Sequence, residues 1–292
     1  MPELMTTAEV AAYLRLKQRK VYELVRNREI PCARVTGKLL FPRRMVDLWI
    51  EQNVDFAGSR PADAPLVFAG SHDPLVEWAL RESGCGLALL TAGSAEGLAR
   101  LAERKALLAG IHMIADDGTY NVSALRALSM VGDIVLIEWA RREQGLVVAR
   151  GNPRGIRALA DLKRKKLRVA RRQEGAGAHI LLAHLLKRAG VGFDEVNLVG
   201  PACLTETDLA LSVLDRKAEC GLAIRAVATR FNLDFVPLHV ERFDLAMRCR
   251  DYFEPAVQTL FRFARSLVFQ ARAGELGGYD VSGLGEARFN GR

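Results

Sequence analysis

The residues best suited to chemistry sit at four points where an apolar, strand-like run gives way to a helical pattern. GSHDP (Gly70 to Pro74) sets Ser71 and His72 beside a helix start, with Pro74 near its first position. TAGS (Thr91 to Ser94) repeats the arrangement one unit later with Ser94. RRQEGAGAH (Arg171 to His179) offers a glycine-rich approach to a helix through Arg171, Glu174, Gly175, Ala176 and Gly177, and LTET (Leu204 to Thr207) brings Thr205 and Glu206 to another. Hydroxyls and the unpaired N–H groups of a helix start can hold the oxygens of a small ligand. Taken singly, each point reads first as an ordinary N-cap; four in one layout read as a binding site.

Other chemistries find less support. Gly175-Ala-Gly177 lacks the Lys-Ser/Thr ending of a Walker loop and the full spacing of a dinucleotide fingerprint. There is no GxSxG and no cluster with metal-ligand spacing, so an enzyme using Glu174, Glu206 or Asp73 as acid or base, with His72 or His179 as a second titrating group, is the alternative and not the leading expectation. His179 and His184, five apart on one helical pattern, fall on different faces. Cys32, Cys85, Cys203, Cys220 and Cys249 are scattered without CxxC spacing, which suggests neither a disulfide framework nor a zinc ribbon.

The elements that must position these points follow an α/β alternation. From Leu66 onward LVFAG, GLALLT and GIHMIA read as strands, each followed by a helix: from Pro74, over 95–108 and over 122–130. DIVLIEWARREQGLVVARGNP then reads as two strand-like runs, after which the alternation restarts: helix 156–162, strand LRVAR, helices 178–189 and 208–216, strands ECGLAI and DFVPL, and helical 255–269. Parallel strands in two α/β lobes, joined by extended segments that cross more than once and enclosing a cleft, are expected. VDFAGSRPADAP, with Gly58, Pro61 and Pro65, separates this part from the first residues, giving expected domains 1–56 and 66–292 with a linker over 57–65.

The N-terminal part has its own logic. Thr6 followed by Glu9 is a capping-box signature, and Val10, Ala11 and Leu14 supply one apolar helical face. A polar break leads to a second helix, roughly 18–27, with Val21, Leu24 and Val25 inward. A hairpin turning at Thr36-Gly37-Lys38 and a closing helix over 43–52 complete the unit. Between Arg15 and Arg44 stand ten Lys or Arg against two acidic residues, which favours a polyanionic partner, in keeping with the net charge of +8.

The frame TxxEVAxYL…VYxLVRxxxIPxxRVxGKxxFxRxxVDxWI resembles the excisionase-type, MerR-like winged helix-turn-helix family over about the first 53 residues. The resemblance implies that the second helix enters the major groove of double-stranded DNA while the hairpin touches the backbone or minor groove. Lys17, Gln18, Arg19, Lys20, Tyr22 and Arg26 would then be the reading or anchoring side chains, with Arg34, Lys38 and Arg43 beside them.

A second resemblance runs from about Ala64 to the C-terminus. GSHDP, TAGSxxGL, LAGIHM, GTYN, RREQGLVVARGNP, RRQxGxGA, AECGLAIRAVA, LDFVPLxxERFDLAM and GGYDVSGLG are similar, in this order, to the type 2 periplasmic-binding-protein-like domain related to molybdate-binding proteins. It implies a fold of two α/β lobes and a ligand near Ser71, Ser94, Tyr120, Asn121, Gly175, Gly177 and Thr205, with molybdate or tungstate as first candidate. GAGAH stands where the family commonly shows a GSGTR-like loop, and Glu206 where histidine is frequent; two carboxylates facing the cleft, Glu174 and Glu206, would oppose a dianion. A small organic ligand is therefore the alternative effector.

The expected whole is a cytoplasmic, one-component transcriptional regulator: a winged helix-turn-helix and a bilobed sensing domain, acting as a homodimer on two half-sites. The opening Met1-Pro2-Glu3 carries no signal-peptide pattern, and no run of about eighteen apolar residues suggests a membrane span. A recombination accessory protein whose large domain serves only assembly is a further alternative.

Overall fold

Thr6 caps the first helix as its spacing predicts: its hydroxyl accepts from the Glu9 N–H at 3.3 Å, and the Glu9 carboxylate accepts from the Thr6 N–H at 2.7 Å. The computed structural model describes residues 3–27, 29–35, 37–52, 64–127, 132–164 and 167–291. The chain divides into two compact units, Met1–Ala62 and Asp63–Arg292. Most of the expected linker, 57–65, lies outside the described residues, as do 128–130 at the end of one expected helix.

In the first unit, β1 (Leu4–Met5), α1 (Thr7–Tyr13), α2 (Gln18–Arg26), β2 (Ala33–Val35), β3 (Lys38–Pro42) and α3 (Arg43–Gln52) follow one another. β2 and β3 form an antiparallel hairpin with Val35 opposite Lys38, a tight turn in which Gly37 takes φ of 79°, and β1 adds to the far edge of β3. Val21, Leu24 and Val25 of α2 pack with Val10, Ala11, Phe41 and Val46 in one small core. That burial fixes which face of α2 remains outside.

The second unit runs β4 (Val67–Gly70), α4 (Pro74–Ser83), β5 (Ala88–Thr91), α5 (Ser94–Ala102), β6 (Leu108–Ile111), α6 (Val122–Ala127) and β7 (Ile134–Val148). It continues with β8 (Val169–Arg172), α7 (Gly177–Arg188), β9 (Leu198–Cys203), α8 (Glu206–Leu214), β10 (Cys220–Ile224), α9 (Arg225–Arg230) and β11 (Asp234–Arg248). α10 (Pro255–Ala264), α11 (Leu267–Leu276), β12 (Tyr279–Asp280) and β13 (Ala287–Asn290) close the chain.

Its strands hydrogen-bond in the order β5-β4-β6-β11-β7-β10-β8-β9, with β12 and β13 also on β7. β4, β5 and β6 are mutually parallel, as are β8, β9 and β10, so each half carries the expected parallel set. Between them β7 and β11 run antiparallel along their whole length, Ile134 opposite Arg248 at one end and Val148 opposite Asp234 at the other. The two runs read from DIVLIEWARREQGLVV are thus one strand, and DFVPL and ERFDLAMR are likewise one. The polar stretch in the middle of each does not break it, because the polar groups pair with one another inside the protein.

One apolar cluster spans both halves, taking in α4, α8, α9, α10 and α11. Away from it the core divides: Leu98 and Leu101 of α5 cover Ala109, Ile111, Ile134 and Leu136, whereas Leu181, Leu182, Leu185 and Leu186 of α7 cover Leu146, Val148, Val169 and Leu222. Between those two stretches β7 carries Arg142 and Gln144. Three expected helices differ in extent: α5 ends at Ala102, residues 159–163 form only a 3-10 turn, and 255–276 is broken into α10 and α11 at Ser266, which caps the second through the Phe269 N–H. β9 is an edge strand, which accommodates Pro201.

Candidate functional site

The outward face of α2 is cationic. Lys17 stands at its N-cap position; Gln18, Arg19, Lys20, Tyr22 and Arg26 are all exposed, Tyr22 at 53%. Lys20 is held by Glu23 at 2.7 Å. Tyr22, Val25 and Arg26 line an open groove whose other wall is Arg34, Gly37, Lys38 and Leu39 of the hairpin. Arg43 is the exception among the expected contacts: its guanidinium lies 5.4 Å from the Tyr13 ring centroid and 3.9 Å from Asp47, so it braces α3 against α1.

In the second unit the strand ends converge on a buried polar cluster. Ser71 Oγ lies 2.8 Å from His112 Nε2, and His112 Nδ1 lies 2.7 Å from Glu241 Oε2. The other Glu241 oxygen accepts from Arg142 and, at 2.9 Å, from Gln144 Nε2. Arg142 also donates to Asp73 at 2.8 Å, and Asp73 accepts from Tyr279 at 2.7 Å and from the Val76 N–H at 2.7 Å. Burial opposes ionisation of Glu241, but Arg142, His112 and Gln144 outweigh it and hold the carboxyl down at about 2. Burial likewise works against the Arg142 charge, yet Glu241 and Asp73 raise its pKa above the usual value. The phenol of Tyr279 is pushed well up by burial and by Asp73, so it stays a donor.

Two helix starts meet over this cluster. Ser94 Oγ accepts from the His112 N–H at 3.3 Å. A Cβ added at Gly177 would lie 2.5 Å from His112 Cε1, so only glycine lets α7 begin against the imidazole. Farther along, Arg172 is buried, bonded to the Cys203 and Leu204 carbonyls, with Nη1 3.8 Å from Glu206. Burial lowers the Arg172 pKa, partly offset by Glu206. The second Glu206 oxygen accepts from the Ile224 N–H at 3.0 Å.

Of the expected ligand residues, Ser71, Ser94, Ala176, Gly177 and Glu206 are buried in this region. Neither serine caps its helix: Asp73 caps α4 and Gly93 precedes α5, so both hydroxyls are left to engage His112. Thr205 is an ordinary cap of α8 in a reciprocal box with Asp208. His72 turns away to Glu77, 3.3 Å distant. Arg171 and Glu174 are exposed; strand alternation turns Arg172 inward instead, and Glu206 is the buried carboxylate of the expected pair. Gly175, half-buried, approaches Ala95. Tyr120 bonds to His239 at 2.8 Å, and Asn121 ties the Met113 N–H to Asp244 at 2.7 Å each.

His112, Arg142, Gln144, Glu241 and Tyr279 did not stand out in the sequence as site residues. The available signal was a polar residue inside a run that should be wholly buried, such as His112 in GIHMIA. Among the described residues, no group of His, Cys, Asp or Glu is arranged to hold a metal ion, and no helix is long and apolar enough to cross a membrane.

Two parallel strand sets sharing two long crossing strands, with polar groups gathered at the strand ends, define a periplasmic-binding-protein-like architecture. The family model described as the PBP superfamily domain matches residues 77–265, and the chain belongs to that superfamily. A helix-turn-helix domain model matches residues 4–54. The uncharacterized protein YvgK of Bacillus subtilis is 27% identical over 195 residues, 66% of this chain; the chain spans only 63% of that protein's length. An uncharacterized protein encoded in the 5' region of a 2Fe-2S ferredoxin gene of Clostridium pasteurianum is 26% identical over 108 residues, 37% of this chain and 96% of that one. Among solved structures, a Clostridium perfringens protein with bound phosphate superposes with a TM-score of 0.55 at 12% identity, over 72% of this chain and 96% of that chain. The sulfate-binding protein SubI of Mycobacterium tuberculosis gives 0.53 at 16%, over 74% and 86%. At such identities these likenesses define the fold alone.

Proposed function

We propose that this chain is a ligand-responsive, DNA-binding transcriptional regulator that works in the cytoplasm, with an effector held at the Ser71, Ser94 and Gly177 junctions. One observation carries the reading: an exposed cationic helix facing a basic hairpin stands on the same chain as a two-half solute-binding fold whose strand ends converge on a buried polar cluster. The small N-terminal module gives limited specificity by itself, which favours a dimer placing two such helices on one duplex.

Molybdate or tungstate, implied by the sequence resemblance, fits the cluster less well than a small organic molecule or an oxyanion that keeps a proton. Arg142 and Arg172 are matched against Asp73, Glu241 and Glu206, so no surplus positive side-chain charge greets a dianion.

The test uses the full chain. A duplex is selected from a random pool, and its binding is followed by fluorescence anisotropy over a salt series with and without molybdate, phosphate, hydroxy acids and amines. Affinity falling steeply with salt and shifted by one compound class is expected. Binding without duplex preference would remove the regulator, and an affinity indifferent to every compound would remove the sensor.

A second reading has one observation behind it. Ser71, His112 and Glu241 are linked as nucleophile, base and orienting carboxylate are in acyl-transfer enzymes. Ser71 is only 4% exposed, which favours binding over turnover. Ester hydrolysis abolished by Ser71→Ala would reverse that preference.

A further inference from the structure

Residues 113–121, between β6 and α6, are rooted in the first half and seated in the second. At the root Asn121, with φ of 70°, accepts from the Met113 N–H at 2.7 Å and donates to Asp244 at 2.7 Å, on the stretch of β11 that pairs with β6. Its own N–H bonds to the Met113 carbonyl at 2.8 Å. Beyond the root Ile114 and Tyr120 bridge, the Ala115 N–H bonds to the Thr119 carbonyl at 2.8 Å, and Asp117 accepts from both the N–H and the hydroxyl of Thr119. Bonded to itself and to Asp244, the hairpin is a preformed arm of the first half.

The side chains of that arm pack elsewhere. Ile114 and Tyr120 are buried in the apolar cluster built on the leucines of α7, whose other buried members, among the described residues, lie between Leu146 and Leu222. The Tyr120 hydroxyl lies 2.8 Å from His239 Nε2, with the two rings stacked at 24° and their centroids 6.3 Å apart. His239 stands opposite Gln144, on the part of β11 that runs beside the second half. Asp116 and Lys187 of α7 are 3.9 Å apart, but both are exposed and such a pair adds little. Separating the halves therefore means withdrawing two apolar side chains and breaking the bond of a buried phenol, and a partial withdrawal would leave that phenol buried without a partner.

We propose that residues 113–121 are a clasp through which the first half holds the second closed over the polar cluster, and that the halves part only when Ile114 and Tyr120 leave their seat together. Tyr120 is then a positioning residue whose hydroxyl is committed to His239. The clasp acts in this way whatever the cluster binds and whether or not the chain regulates transcription.

Spin labels on the full-length protein test it without a ligand. Glu103→Cys and Lys217→Cys place one label on an exposed position in each half, Cys32 and Cys249 are replaced by serine, and double electron–electron resonance reads the separation. The labelled parent is expected to give one narrow distance. Tyr120→Ala should add a second, longer distance, and Ile114→Ala should add the same distance at lower occupancy; this milder variant decides the matter if Tyr120→Ala does not fold. On the Ile114→Ala background, Tyr120→Phe keeps the ring and loses only the bond to His239, and should raise the ratio of long to short distance about fivefold. His239→Ala should give a similar rise, and the two together no more than either, because one bond is removed. A single unchanged distance in every variant overturns the inference. So does an equal lengthening in Leu162→Ala, which thins the same cluster from the 3-10 turn at 159–163. Rises from Tyr120→Phe and His239→Ala that multiply in the combined variant would likewise overturn it, because the two residues would then not act through one bond.

Discussion

Replacing Glu241 by Gln tests the charge cluster where β7 and β11 cross. The Glu241 carboxyl is fully buried and depressed from 4.5 to about 2, by Arg142, His112 and Gln144 against the opposing effect of burial. A depressed carboxyl adds stability that is complete above its unfolded pKa and is lost as pH falls through its folded one. The shift corresponds to about 3 kcal/mol, present above about pH 4.5 and removed toward about pH 2. Glutamine has the shape of the protonated carboxyl, so the variant should be less stable than the parent at neutral pH and lose less on acidification. The assay is urea unfolding followed through Trp139, which is fully buried beside Phe261 and Phe269. Measured at about pH 7, 4.5 and 3, the stability gap should change little between the first two and then fall to roughly half by the lowest pH. A gap that stays constant or widens would refute the argument, because the parent would then not be drawing its stability from an ionised Glu241.

Three further outcomes follow from the geometry. Arg19→Ala and Arg26→Ala should each weaken duplex binding, by about 1 to 3 kcal/mol where a base contact is lost and with a shallower salt slope where a phosphate contact is lost; anisotropy over a salt series reads both. Gly177→Ala drives a methyl group into His112 and should cost about 1 to 3 kcal/mol in thermal unfolding, whereas the same change at Gly84, where nothing lies within 4 Å, meets only its left-handed φ of 63°. Thr6→Ala removes the α1 capping box and should cost about 1 kcal/mol, seen as faster amide exchange in α1 with α7 unchanged.

Legibility in the sequence followed the range of the interactions. The helix-turn-helix unit was readable because its determinants are local: Thr6 with Glu9, the period of Val21, Leu24 and Val25, and the Gly37 turn all lie within a few residues. The alternation of β4 to α5 and β8 to α7 was readable for the same reason. The centre of the cluster was not, since His112 is separated from Ser71 by 41 residues and from Glu241 by 129. Polar residues inside β7 looked like an interruption because their partners come from β11 and from the start of α4. Choosing between Arg171 and Arg172 needed the strand's facing, which adjacent arginines conceal. Ser71 and Ser94 stand out in the sequence through their helix starts, whereas in the structure both hydroxyls engage His112, a residue the helix starts do not reveal.

The same carboxylate joins the Ser71 junction to the strands that link the two halves. Ser71 reaches Glu241 through His112, and Asp73, two residues on, reaches it through Arg142. Arg142 and Glu241 are opposite each other in the β7 and β11 register, where both strands pass from one half to the other. A change in the hydrogen bonding of Ser71 is therefore relayed through His112 to the Arg142 and Glu241 pair that joins the two crossing strands. A sensor of the proposed kind requires two discrete arrangements, not a continuum of deformations. An effector moves such an equilibrium only by its difference in affinity for the two arrangements. In the proposed sensor that difference would have a physical source, because Ser71 and His112 are bonded to the pair that holds the crossing strands together.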